Sequence, residues 1–277
     1  MTAFSTRPAL RRAHAELRLL GLFVVTQLRC LVFAIAIFAA MAVTELVDAG
    51  IGRYDALLVA GLAITAVLWW TGYETTREVG VIFAFHLLGL GLELFKVSQG
   101  SWAYPAEGVT MIAGVPLYSG FMYAAVGSYL CQAWRRFDLR ITGYRAAPML
   151  ILAVAAYANF FTHHWMWDVR WLIAVLFVIA MWDTWVHYSL GDTRLRMPLA
   201  VAFVLIGFFL WLAENVGTFL GAWQYPDQEA FWQAVHMGKL GSWALLVTLS
   251  FVIVATLKQY EGTFYGHAGD EATVTRR

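Results

Sequence analysis

The 277 residues are 61% hydrophobic and 13% charged, and soluble domains carry about 25% charged residues, so the composition excludes an ordinary water-soluble globule. A net charge of +1 excludes the basic excess of a nucleic-acid binder. Cys30 and Cys131 have no CxxC or His-spaced partners, which excludes a disulfide scaffold and a zinc site.

The first stretch, MTAFSTRPALRRAHAELRLLGLF, is basic and then apolar. Arg18 and Arg29 interrupt the run and no small-residue cleavage site follows, so residues 1–29 read as a retained amphipathic helix at the membrane surface rather than a signal peptide. A helix needs about 20 mostly apolar residues to cross a bilayer. Eight stretches qualify: 30–48, 54–73, 79–97, 111–133, 147–164, 169–188, 198–219 and 236–258. None of the six prolines falls in the middle of one: Pro148 and Pro198 open spans, and Pro116 lies in the first turns of the fourth, positions where a missing amide donor costs little. Residues 259–277 read as a flexible polar tail.

Sorting Lys and Arg by loop orients the chain. With both termini cytoplasmic, that side holds Arg7, Arg11, Arg12, Arg18, Arg77, Arg135, Arg136, Arg140, Arg145, Arg194, Arg196, Lys258, Arg276 and Arg277. The opposite side holds Arg53, Lys96, Arg170 and Lys239. A membrane-embedded chain with membrane lipids as neighbours follows.

The third and seventh spans end on one pattern. Glu93 to Pro105 reads ELFKVSQGSWAYP and Glu214 to Pro226 reads ENVGTFLGAWQYP, sharing E-x6-G-x-W-x-Y-P at an offset of 214 − 93 = 121 residues. A shift of four spans keeps both copies on the same side. The expected fold is therefore an all-α membrane protein of eight transmembrane helices in two parallel four-helix repeats, about 30–145 and 146–258.

Glu93 and Glu214 are the candidate catalytic residues, because charges inside a bilayer are costly and equivalent acids near a pseudo-axis suit general acid/base work. The same pattern also allows each to cap its own corner by accepting hydrogen bonds from loop amides or tryptophan. Trp102, Tyr104, Trp223 and Tyr225 read as interfacial anchors or as the lining of an apolar ligand site. Lys96, three residues after Glu93, and Lys239 read as neutralising partners of the acids. His86 shares a stripe with Gly89 and Glu93, and Asp183 with His187 forms an i, i+4 pair in span six, a spacing that orients an imidazole or binds a cation, and the three are candidate ligand-binding residues. These groups fall short of a closed metal site, and no metal or cofactor is expected. Gly120, Ala124 and Ser128 give span four a small-xxx-small face for close helix packing.

The stretch GSWAYPAEGVTMIAGVPLYSGFMYAAVGSYLCQAWRR, Gly100 to Arg136, resembles the bacterial multi-pass family called domain of unknown function 817, and the resemblance extends over about residues 15–260. It implies membrane location and fold without an activity. Glu93, Gly100 and Trp102 also resemble the acid and G-x-W of the small membrane-embedded lycopene cyclases. After Pro116, however, this chain has Leu117, Tyr118 and Ser119 where that family has its acidic pair. What carries over is an apolar, isoprenoid-sized cavity, not the cyclase reaction. Three readings follow: a binder or modifier of a lipid or isoprenoid, a small-solute or proton-coupled transporter, and a structural partner in a membrane complex.

Overall fold

The computed structural model describes residues 7–47, 50–262 and 264, with side chains from residue 13 onward. The first six residues and most of the 259–277 tail lie outside the described residues.

The described chain is mostly helical. Helix α1 (Arg7–Cys30) runs into α2 (Val32–Leu46) through a 64° bend at Leu31. There follow α3 (Arg53–Trp70), α4 (Thr76–Ser98), α5 (Gly120–Arg136), α6 (Ala146–Thr162), α7 (Arg170–Ala180), α8 (Leu199–Phe219) and α9 (Lys239–Tyr260). Helix α4 starts on a capping box, in which the Glu78 amide donates to the Thr75 hydroxyl at 3.3 Å and the Thr75 amide to the Glu78 carboxylate at 2.7 Å.

Side-chain contacts show that α2 to α9 alternate in direction. At one end, Arg53 opening α3 pairs with Glu45 closing α2 at 2.8 Å and donates to carbonyls closing α8. At the same end Lys96 of α4 meets His164 after α6, and Arg170 of α7 meets Ser242 of α9. At the other end the Tyr73 hydroxyl reaches the Arg29 carbonyl, and Arg77 of α4 faces Glu261 after α9 at 3.5 Å. A three-stranded antiparallel sheet closes this second end: β3 (Arg140–Thr142), β4 (Trp185–Leu190) and β5 (Thr193–Pro198) in that order, after a separate hairpin, β1 (Met111–Ile112) and β2 (Val115–Pro116). We call the first end the corner end and the second the ribbon end.

Besides the bend at Leu31 in the first expected span, the fourth and sixth expected spans contain β-structure. Residues 111–119 form the β1–β2 hairpin and a short 3-10 turn, so the fourth helix begins only at Gly120. Ala113 and Gly114 both take positive φ in the two-residue loop, and Pro116 sits in β2, not in the first turns of a helix. In the sixth stretch α7 stops at Ala180 and 185–190 is strand β4, which pairs with β5 through the Gly191–Asp192 turn. Four helices, α3, α4, α8 and α9, are long and apolar enough to cross a membrane, and α1 with α2 make a fifth if counted as one bent span. The small-residue face of α5 is internal: Ala124 and Ser128 are fully buried, and Gly120 lies against the His86 backbone of α4.

Candidate functional site

The two corners fold alike. After α4, Gly100 takes φ +65°, its amide bonding the Val97 carbonyl at 2.9 Å and the Ser101 amide the Lys96 carbonyl at 3.0 Å. After α8, Gly221 takes φ +64°, with the Gly221 amide on Thr218 at 3.0 Å and the Ala222 amide on Gly217 at 3.1 Å. Each bond in one corner is matched 121 residues on in the other (97 + 121 = 218; 96 + 121 = 217). A left-handed residue with this paired bonding ends a helix sharply, and glycine takes that conformation without the Cβ clash that penalises other residues.

Beyond the glycines the chains run extended and pair with each other. The Ala103 amide donates to the Gln224 carbonyl and the Gln224 amide to the Ala103 carbonyl, both at 2.9 Å, forming an antiparallel bridge. Since 103 + 121 = 224, the bridge joins the same motif position in both copies. Arg53 fixes the second corner through the Leu220 carbonyl at 2.6 Å and the Gly221 carbonyl at 3.0 Å. The Tyr118 hydroxyl donates to the Ala222 carbonyl at 2.7 Å.

This pairing brings the acids to one place. Glu93 accepts from Trp102 Nε1 at 2.6 Å, from the Tyr104 hydroxyl at 2.7 Å and from the Tyr123 hydroxyl at 2.8 Å. Glu214 accepts from the Tyr225 hydroxyl and from Trp243 Nε1. Tyr104 and Tyr225 are equivalent, and Tyr123 and Trp243 stand at 243 − 123 = 120, each on the helix that follows its corner. Those last two donors lie outside the repeated motif, and the sequence reading missed them. The one available signal was an aromatic donor near the start of both α5 and α9.

Glu93 and Glu214 line one cavity of about 650 Å³, together with Trp102, Tyr104, Trp223 and Tyr225. These aromatics turn inward: Tyr104 and Tyr225 are each 8% exposed. Away from the acids the wall is apolar, supplied by α1, α2, α5 and α8. Helix α8 alone lines it from Leu199 to Glu214, which at 1.5 Å for each of 214 − 199 = 15 steps is about 22 Å. The ribbon end closes it with Phe137, Leu139 and Tyr188.

The remaining candidates lie elsewhere. His86 is absent from the cavity wall and packs on Phe121 with ring centroids 4.4 Å apart, its Nδ1 buried without a partner. Asp183 and His187 do not share a helical face, because His187 is on β4, opposite Arg140 and Arg196, bonded to the Thr142 hydroxyl at 3.0 Å. Burial and the arginines around it hold the His187 imidazole below its ordinary pKa. Lys96 turns away from Glu93, meeting His164 Nε2 at 3.2 Å and lying 4.1 Å from the Phe160 ring centre. Lys239 lies 4.0 Å from the Tyr225 ring centre and 5.5 Å from that of Trp102. Among the described residues no group of three or more His, Cys, Asp or Glu side chains is placed to hold a metal ion.

Fold and site together define a helical protein with several membrane-length helices, enclosing a long apolar cavity that ends on two aromatic-bound carboxylates. The chain belongs to the DUF817 family, described as a protein of unknown function, which matches residues 19–251. The uncharacterized protein YoaT of Bacillus subtilis (strain 168) is 52% identical over 236 residues, covering 84% of this chain and 88% of that one. Among solved structures, a cross-linked trimer of MvINS aligns with a TM-score of 0.44 at 18% identity, over 67% of this chain and 97% of that one.

Proposed function

We propose that this chain is a multi-pass inner-membrane protein that binds, or acts on, a long-chain lipid or isoprenoid in the cavity between its two halves. The observation that carries this reading is that Glu93 and Glu214 open onto the same elongated apolar cavity. Binding sites for small molecules are commonly concave, 300–1,000 Å³, mostly apolar, with a few placed polar groups, and this cavity has that composition. The wall also reaches the outer surface: Phe209 and Leu28 line it while being 64% and 51% exposed. That places its rim between α1 and α8, where a hydrocarbon chain would enter from the bilayer.

In this reading the whole alternating bundle from α2 to α9 sits in the bilayer, with α1 lying along the membrane surface and the ribbon end in the cytoplasm. The matched corners and the bridge between them support a tandem duplication about an axis along the membrane normal. The test is native mass spectrometry and lipid extraction of protein purified in mild detergent. The intact protein carries a lipid or isoprenoid at near-stoichiometric amounts, and Ala202→Trp, which fills the cavity toward its ribbon end, loses it. Equal lipid on both proteins would sink the reading.

A further inference from the structure

We infer that the head of the cavity's occupant is a hydrogen-bond donor without negative charge, a long-chain alcohol or amine, held at Glu93 and Glu214. The inference rests on the cavity reading above and adds the chemistry of the head.

Among the described residues no Lys or Arg lines the cavity, and its only ionisable acids are Glu93 and Glu214. Both are buried, at 3% and 2% exposure. The cations at this end stand outside the wall: Lys96 faces His164, Arg170 pairs with Asp168 at 2.6 Å, and Lys239, lying on the rings of Tyr225 and Trp102, is near enough to offset part of the Glu214 charge. A phosphate or carboxylate head at the polar end would meet two acids, with Lys239 outside the wall and already facing Glu214, in surroundings where an unpaired buried charge is costly.

An ionised carboxylate offers roughly four acceptor positions. Glu93 uses three of them, on Trp102, Tyr104 and Tyr123, and Glu214 uses two, on Tyr225 and Trp243. The donors on the wall at this end are therefore spent, and acceptor positions are left over. A hydroxyl or ammonium group completes such a set, whereas an acceptor-only head finds no unspent donor at this end. The other polar atoms on the wall are at the far end, where Gln27 and Tyr129 bond each other, Tyr188 lines the wall and the Trp134 indole N–H is buried without a partner among the described residues.

Head chemistry and cavity occupancy are separable by experiment. The full-length protein in detergent is titrated with an isoprenoid alcohol, the matching primary amine and the matching monophosphate, following thermal unfolding and native mass. The alcohol and the amine bind at least about tenfold more tightly than the phosphate, a difference of about 1.4 kcal/mol, and Glu214→Gln reduces the preference for the amine. Ala202→Trp, or Ala213→Phe if the first variant does not fold, removes binding of both. Equal or tighter binding of the phosphate overturns the head chemistry and leaves the cavity reading standing. If none of the three binds the intact protein more than the blocked variant, the cavity reading falls and this inference with it.

Discussion

The corners repeat in backbone and in the tyrosine bond to the acid, but not at the tryptophan, and one residue explains the difference. In the first corner the Trp102 indole donates to Glu93 at 2.6 Å. The equivalent Trp223 instead packs on Gly217, and its indole reaches the Tyr225 hydroxyl. Gly217 occupies the position that is Lys96 in the first copy (96 + 121 = 217). Without a side chain there, the benzo edge of Trp223 occupies the space over Gly217 on α8, and Trp243 of α9 takes over as donor to Glu214. Truncating a donor to a buried charged acceptor costs about 1–3 kcal/mol, against about 1 kcal/mol for a neutral bond. Trp243→Phe is therefore expected to destabilise the protein more than Trp223→Phe does in thermal unfolding in detergent. Equal losses would mean that Trp243 does not serve Glu214. The repeated acids, glycines and tyrosines were legible because they recur at one offset; Tyr123 and Trp243 differ in residue type and in offset, so no pattern connected them.

Glu74 is a buried acid away from the cavity wall. It lies in the turn between α3 and α4, 1% exposed, with Oε1 accepting from the Ser128 hydroxyl at 2.5 Å and Oε2 without a partner. Burial, with Glu78 adding to it, raises its pKa to about 7, against the opposing pull of Ser128 and Gln132. In the unfolded chain the same group titrates near 4.5. Below pH 4.5 both states are protonated and there is no cost; between 4.5 and about 7 the folded state holds the extra proton, so stability falls as pH rises, and above that the full cost persists. The melting temperature is expected to decline from pH 5 to pH 7.5, and Glu74→Gln to flatten that slope. A slope unchanged by the substitution would remove Glu74 as its source.

At the level of elements, composition identified the apolar stretches but not their conformation. Residues 169–188 carry enough apolar side chains for a span, and an apolar run alone does not separate helix from buried strand. The distinguishing signal is local: Trp185 to Leu190 is rich in aromatic and β-branched residues and is followed by Gly191–Asp192, a two-residue hairpin loop with glycine first. The same applies at Ala113–Gly114, whose loop joins Ile112 to Val115. The consequence for the candidate site is direct, since putting His187 in a strand separates it from the helical face it was expected to share with Asp183. Gly191 has φ +58°, where a β-branched side chain is strained by roughly 1–2 kcal/mol. Gly191→Val should lower stability by about that amount, while Asp192→Ala at the exposed neighbouring position has little effect. A neutral Gly191→Val would count against the tight turn.

For the whole molecule the question is which end faces the cytoplasm, and the sorting of charge supplies the argument. Arg77, Arg135, Arg136, Arg140, Arg145, Arg194, Arg196 and Lys258 collect at the ribbon end, while Arg53, Lys96, Arg170 and Lys239 are at the corner end. Cytoplasmic loops retain the excess of Lys and Arg, so the ribbon end is expected inside and the twin acids in the outer half of the bilayer. The native thiols make a direct test possible, because Cys30 and Cys131 are 1% and 0% exposed and give a silent background. Asp192, in the β4–β5 turn, and Glu229, beyond the second corner, are both exposed. In intact cells a membrane-impermeant maleimide should label Glu229→Cys and leave Asp192→Cys unlabelled until the membrane is opened. Labelling of both in intact cells would show that the two ends are not separated by a bilayer, and the reverse pattern would turn the protein over, bringing the acids into the inner half while leaving their shared cavity intact.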